Sequence, residues 1–501
     1  MAANQQAKMV STTFYVLFLF LLLNGLNSVN SDQNEGKHEG NIIETINDFG
    51  FDLLKIFDQD KEMKGINLFY SPTSIAVALA MVFLGSRGNT ADEIAKAMKW
   101  YAYESEDVHL TLKSLMEAIA ESEHANLELK IANRLWGHEY LHETAEYKES
   151  ILAFYSAPIA KVDFKEGSER AREEINQWVE KNTGRKIKDF LPPGSVTEDT
   201  RVALINAIYF QGTWLHAFDR EKTHHAPFHT VGDGERVLEV SMMTKTSRQS
   251  YHVDEEHNCQ ILELPYDGDD ISMLIVLPND ILGISSIEQL INTELMEKWI
   301  MSFVKTTVKV SIPRFILSQH FELKKTLSKL GISDVFEAGI ADLSGLSSVE
   351  SLYVSHVIHK AQVHVNEKGT EAAAASGVIM QKRSVEMYPE FYADHPFLFI
   401  IYHKSTRAVL FIGRVTRPEI VEQGHFTAET KEKPNTRHYN DELEACDPIS
   451  VFHVSRPSEV ARYCPSAMRE CRESACLLTT KKLVTLPTFI PRQILEKDVF
   501  Q

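Results

Sequence analysis

The sequence predicts an α+β fold on three observations. Apolar residues recur at helical spacing through the first third, short apolar runs bounded by turn residues dominate the remainder, and two largely apolar runs close the folded part. The first helix lies over 41–56, where Ile42, Ile43, Ile46, Phe49, Leu53 and Ile56 share a face. Ser71 then supplies a side-chain cap and Pro72 a first-turn residue for a second helix, which runs through Phe83 and stops at Gly85 or Gly88. Asn89 opens a third, whose early carboxylates Asp92 and Glu93 complement the helix dipole. A further amphipathic helix covers 173–181, with Ile175, Trp178 and Val179 on its apolar side, and ends before Gly184 and Pro192-Pro193. Strands succeed it at 202–210, 261–265, 271–277 and 308–312. A long extended segment at 353–366 carries the alternation Ala361, Val363, Val365, and 397–403 and 408–415 form the closing pair.

Composition narrows the function. The 501 residues are 44% hydrophobic, enough for a sizeable core, and the formal net charge of −18 argues against DNA or RNA as a partner. Residues 1–31 have the layout of a secretory signal peptide: Lys8, an unbroken apolar run from Phe14 to Leu23, then small and polar residues with a cut near Ser28 or Ser31. The mature chain is therefore expected to be secreted and extracellular, with no membrane attachment, although no Asn-x-Ser/Thr sequon adds support. Cys259 stands alone, whereas Cys446, Cys464, Cys471 and Cys476 crowd the end.

The informative stretch runs from Asn366 through Glu367, Lys368, Gly369, Thr370, Glu371, Ala372, Ala373, Ala374, Ala375 and Ser376 to Gly377. It comes directly after a strand, contains no proline and has only small side chains at its centre. Taken alone it suits a flexible linker or short alanine helix. It also suits a loop built to enter a sheet, because small residues slip between strands and every N–H remains free to join a ladder.

A resemblance decides between these. Glu367 to Gly377 resembles the hinge of the serpins, the serine protease inhibitor family. Asn67-Leu68-Phe69-Tyr70-Ser71-Pro72-Thr73-Ser74 is similar to that family's early motif, and Ala203-Leu204-Ile205-Asn206-Ala207-Ile208-Tyr209-Phe210-Gln211-Gly212-Thr213-Trp214 to its central strand. Ala393-Asp394-His395-Pro396-Phe397-Leu398-Phe399 and Phe411-Ile412-Gly413-Arg414-Val415 are similar to its terminal signatures. The resemblance covers a domain of about residues 41–418, with a reactive loop over about 367–396. It implies a helical N-terminal region around a large central β-sheet with smaller sheets, and a suicide-substrate mechanism. A protease attacks the exposed loop and forms an acyl-enzyme. The loop then inserts as an extra strand, carrying the protease roughly 50 Å at ~3.3 Å per residue.

The family's hinge-to-bait spacing, counted from Glu367, places the scissile bond at Arg383–Ser384; a loop one residue shorter would use Lys382. Either side chain calls for a trypsin-like serine protease, whose specificity pocket has an acidic floor. By the same resemblance Ser71, Ser74, Asn206 and His359 form a polar cluster where the sheet opens. Trp214 sits where the hinge first enters, and Arg314 pairs with Glu367, at a position where the family commonly has lysine. None of these is catalytic, and no cofactor or metal is implied.

The rivals are a non-inhibitory serpin with a carrier, storage or chaperone role, and an enzyme. The small residues Ala372 to Ala375 favour inhibition, because bulky or charged hinges mark non-inhibitory members. No Gly-x-Ser-x-Gly elbow is present. His216, His224, His225 and His229 lack metal-site spacing. A glycosaminoglycan partner is not favoured: the helix expected over 107–121 is acidic in balance, and Lys181, Arg185, Lys186 and Lys188 make only a modest basic patch. The tail 419–501 has no counterpart in the family; disulfides, zinc binding, disorder and a mistaken reading frame all remain open readings of it.

Overall fold

The computed structural model describes residues 41–124, 126–230, 236–348, 352–368 and 387–418. The expected signal peptide, the hinge from Gly369 to Ala375, the bait pair Arg383 and Ser384, and the tail lie outside the described residues.

The chain opens with α1 (Ile42–Gln59), capped by Asn41, whose side chain accepts from the Ile43 N–H, and β1 (Leu68–Tyr70). The second helix, α2 (Pro72–Gly85), starts at the Ser71 cap and is buried almost all round, as its unbroken apolar sequence requires. It ends where a side chain on Gly85 would collide with Leu346, 2.7 Å from the position of a Cβ. Next come α3 (Gly88–Ala97), α4 (Ser105–Glu121), β2 (Leu127–His138), α5 (Ala145–Tyr155), β3 (Ala160–Val162) and α6 (Phe164–Asn182). The last of these starts well before the expected residue 173, extended across a break at Gly167.

Strands then dominate: β4 (Val202–Gly212), β5 (His224–Thr230), β6 (Arg236–Asp254), β7 (Cys259–Pro265) and β8 (Ile271–Pro278). After α7 (Ile284–Leu290) and α8 (Thr293–Met301) come β9 (Val304–Pro313), β10 (Phe315–Glu322), α9 (Lys324–Lys329) and β11 (Val354–Val365). The described chain closes with β12 (Glu390–Tyr392), β13 (Phe397–His403) and β14 (Val409–Val415).

These strands form two sheets, in an α+β arrangement. One has nine strands in the order β1-β14-β13-β8-β7-β6-β9-β12, with β5 also paired to β6; the other has five, in the order β10-β11-β4-β2-β3. Strand β4 explains its own sequence. Ile208 and Phe210 face a core shared with the nine-stranded sheet, whereas Ala203, Ile205, Ala207 and Tyr209 face a separate cluster with Ile175 and Val179 of α6. Covered on both faces, it reads as a continuous apolar run. Each fully buried large side chain here contributes about 1.5–3 kcal/mol. Among the described residues no helix is long and apolar enough to cross a membrane.

Candidate functional site: a polar row beneath a parallel seam

The five-stranded sheet has one interior parallel pair, β4 with β11, between antiparallel neighbours. A strand that followed β11 in the chain and turned back into this seam would run antiparallel to β11, and hence to β4 as well. A strand entering this seam would replace one parallel ladder by two antiparallel ones, and antiparallel pairing is slightly the more stable per residue.

Strand register builds the lock on that seam. Parallel pairing sets His359 beside Asn206, and antiparallel pairing sets Asn133 beside Asn206, so three polar side chains cross three strands at one level. The start of α2 lies against this row. The Asn206 Nδ2 donates to the Ser74 carbonyl and Oγ, each at 2.7 Å, and to Asn133 Oδ1 at 2.6 Å. Ser74 Oγ donates to Asn133 Oδ1 at 3.3 Å, while Ser71 Oγ accepts from the Ser74 N–H at 3.1 Å. The Ser71 N–H donates to His359 Nε2 at 3.2 Å, which places the imidazole proton on Nδ1, where it donates to Asn206 Oδ1. Burial, with a smaller contribution from nearby His320, pushes His359 down to about 3, so the ring is neutral. The His359–Asn206 bond spans the seam directly and must break for the strands to part. Ser71, Ser74, Asn206 and His359 are thus brought together. Asn133 was missed, because it sits in a strand of alternating character with no motif to mark it.

The far end of β11 shows the same economy. Trp214 Nε1 donates to the Asn366 carbonyl at 2.8 Å, its backbone N–H to the Lys368 carbonyl at 3.1 Å, and the Phe218 N–H to the Glu367 carbonyl at 3.2 Å. The indole stacks on Tyr266 at 4.5 Å between centroids, and Tyr266 lies 2.5 Å from where a Cβ on Gly212 would be, so only glycine fits there. Glu367 is buried, and Thr223 donates to its Oε1 at 2.8 Å. Arg314 Nε lies 3.4 Å from Glu367 Oε2, a charge contact without hydrogen-bond geometry, and neither atom has a hydrogen-bond partner among the described residues. That pair is held by charge and not by a hydrogen bond.

A second residue missed from sequence is Lys245 on β6. It is buried, donates to the His216 carbonyl at 2.7 Å, and lies 4.2 Å from the centroid of the Phe218 ring. It therefore fixes the turn that holds Glu367. Burial lowers its pKa from 10.5 to about 7. Between those values the unfolded chain binds more protons than the folded one, so stability rises with pH across that window; below it the cost of burying the ammonium is constant and fully present. Lys245→Met is expected to remove this slope, which thermal midpoints at a fixed heating rate from pH 6 to 9 will measure. An unchanged slope would assign it to other groups.

The remaining candidates gather nothing. His224, His225 and His229 lie along β5 and not in a loop, and His225 stands 3.2 Å from Glu239 in an exposed pair. Among the described residues, the grouping with metal-site spacing is Asp254, Glu256 and His257. Asp254 Oδ2 there already accepts from Trp299 Nε1 and pairs with His257 Nδ1, each at 2.7 Å. Within the basic patch, Lys186 is paired with Glu128 at 3.0 Å.

Comparison with known proteins agrees with this geometry. The profile described as serpin (serine protease inhibitor) matches residues 44–418. The leukocyte elastase inhibitor of Homo sapiens is 41% identical over 360 residues, which is 70% of this chain and 93% of that protein. That of Xenopus laevis is 39% identical over 375 residues, 74% of this chain and 97% of that protein. Uncleaved ovalbumin superposes with a TM-score of 0.70 at 34% identity, covering 76% of this chain and 100% of that one. A tumour suppressing serpin superposes at 0.67 with 28% identity, over 75% and 99% of the two chains. A parallel seam locked by a polar row, a family match over residues 44–418 and relatives 39% and 41% identical over most of their length make this chain a member of the serpin family.

Proposed function

We propose that the chain is a secreted inhibitor of trypsin-like serine proteases, cut at Arg383–Ser384, which traps its target by inserting the cleaved loop between β4 and β11. The observation that carries this reading is the closed parallel seam, with the hinge leaving β11 beside it and small residues coming next in the chain. Lys382 remains the alternative bait if the loop is one residue shorter. The apolar run and polar flank of residues 1–31 support secretion.

The relatives named for elastase do not fix the target. An elastase pocket is small, whereas an arginine side chain needs a deep pocket with an acid at its base. Association rates with trypsin and pancreatic elastase separate the two. Trypsin is expected to be inhibited and elastase spared, and Arg383→Gln should slow trypsin inhibition by about 10⁴-fold, as when a site built for a polar partner meets its loss. Inhibition of elastase alone would move the bait elsewhere. Cleavage by both without inhibition would favour a carrier, storage or chaperone role.

A further inference from the structure

A pocket that accepts arginine does not by itself distinguish one arginine-specific protease from another, and the flank of the reactive loop offers a second point of contact. Strand β9 is exposed at Lys305 and Lys309, and its register with β6 sets Lys309 opposite Thr246, Thr307 opposite Arg248 and Lys305 opposite Ser250. Residues opposed in this way share a face, so the exposed Arg248 lies diagonally between the two lysines, at the ~7–8 Å spacing of diagonal neighbours. Lys309 Nζ is paired with Glu390 of β12 at 2.8 Å. Arg248 and Lys305 have no carboxylate partner among the described residues; the Arg248 Nε donates to the Lys305 carbonyl at 3.4 Å. Like charges this close repel one another, and they stand together in a chain whose formal net charge is −18.

We propose that Arg248 and Lys305 form a second docking contact for the attacking protease, taking an acidic segment on its surface beside the active-site cleft. Position supports this. The Lys309 N–H donates to the Pro389 carbonyl at 2.9 Å, and Pro389 is five residues beyond Ser384. Five residues span at most about 18 Å. A serine protease of roughly 220 residues has a radius of gyration of about 17 Å, so one seated on the bait bond extends over this part of β9. Chemistry supports it as well. Exposed cations on adjacent strands match carboxylates on an opposing surface, speed encounter, and discriminate against a partner that presents lysine or arginine there. The inference rests on the inhibitory reading and deepens it: the bait residue sets the class of protease, and this contact selects within the class.

The test is the second-order rate of loop cleavage by cationic and by anionic trypsin, two enzymes with the same preference for arginine and opposite net charge. Arg248→Glu/Lys305→Glu is compared with Lys148→Glu/Lys165→Glu, which makes the same change in net charge at exposed lysines on α5 and α6. Reversal on β6 and β9 should slow anionic trypsin at least about tenfold at low ionic strength and leave cationic trypsin equal or faster. The control pair should change either rate by less than about threefold, because charges beyond a Debye length are screened. Equal effects of the two pairs would assign the result to net charge and overturn the proposal, as would no effect of the first pair. The cleavage rate reads docking whether the acyl-enzyme is trapped or hydrolysed. Cleavage sensitive to the first pair, with no covalent complex, would retain the contact and refute inhibition. A covalent complex formed at a rate that the first pair leaves unaltered would retain inhibition and refute the contact.

Discussion

Replacing Ala373 and Ala374 together by glutamate is expected to turn the chain from a trap into a substrate. Neighbouring strand residues face opposite sides of a sheet, so whichever register the loop adopts on entry, one of the two points to each side. Neither side of the seam is open. One is covered by Ile175 and Val179 of α6, and the other by the interior shared with the nine-stranded sheet. A carboxylate forced into either place costs several kcal/mol unless it is neutralised or paired. Trapping is a race between insertion and hydrolysis of the acyl-enzyme, and each ~1.4 kcal/mol added to the insertion barrier slows it about tenfold. The rate of cleavage by trypsin should stay near that of the parent, because the bait is untouched, while the yield of covalent complex falls by about 100-fold or more. Quantitative gels at several ratios of inhibitor to protease measure both. A complex yield equal to the parent's would mean that this segment does not enter the sheet.

Arg414→Met should have the largest effect on stability. Arg414 is 1% exposed, and its Nη1 donates to both carboxylate oxygens of Glu288 at 2.9 Å. Its Nε donates to the Ile66 carbonyl at 2.8 Å and its Nη2 to that of Met63, which ties β14 to the segment between α1 and β1. Glu288 is fully buried, so losing Arg414 leaves an uncompensated carboxylate inside the protein. Breaking such a pair costs about 3–5 kcal/mol, whereas replacing both members by apolar residues is often nearly neutral. Urea unfolding should show a fall of that size for Arg414→Met, with much of it recovered in Arg414→Met/Glu288→Leu. Loss of less than about 1 kcal/mol would place the pair among contacts of surface strength.

Much of this was legible in the sequence, for physical reasons that differ from element to element. Strands β4, β11 and β13 are covered on both faces or alternate cleanly, so their patterns announce them. The Ser71-Pro72 start of α2 did the same through cap chemistry. In contrast, β2 alternates Leu127, Leu129 and Ile131 with Glu128 and Lys130, a pattern too short to stand out beside the apolar runs that mark the other strands. The long β6 contains Thr244, Lys245, Ser247, Arg248 and Gln249, polar residues that break any apolar run and pair alongside β9. The polar row was legible only through resemblance. Ser71 reads locally as a cap, and nothing near Asn206 or His359 in sequence hints that strand register will set them side by side. Asn133 and Lys245 were not legible at all, since their roles come from tertiary placement: one completes a row across three strands, and the other is buried under a turn that holds the hinge.

The most direct measurement is to mix the purified protein with trypsin and resolve the products on a denaturing gel, with the small fragment identified by mass. The account predicts a band at the summed mass of the two proteins that survives boiling, and a released fragment that begins at Ser384. Clean cleavage with no such band would contradict it, and would show a chain with the serpin fold that does not trap its protease.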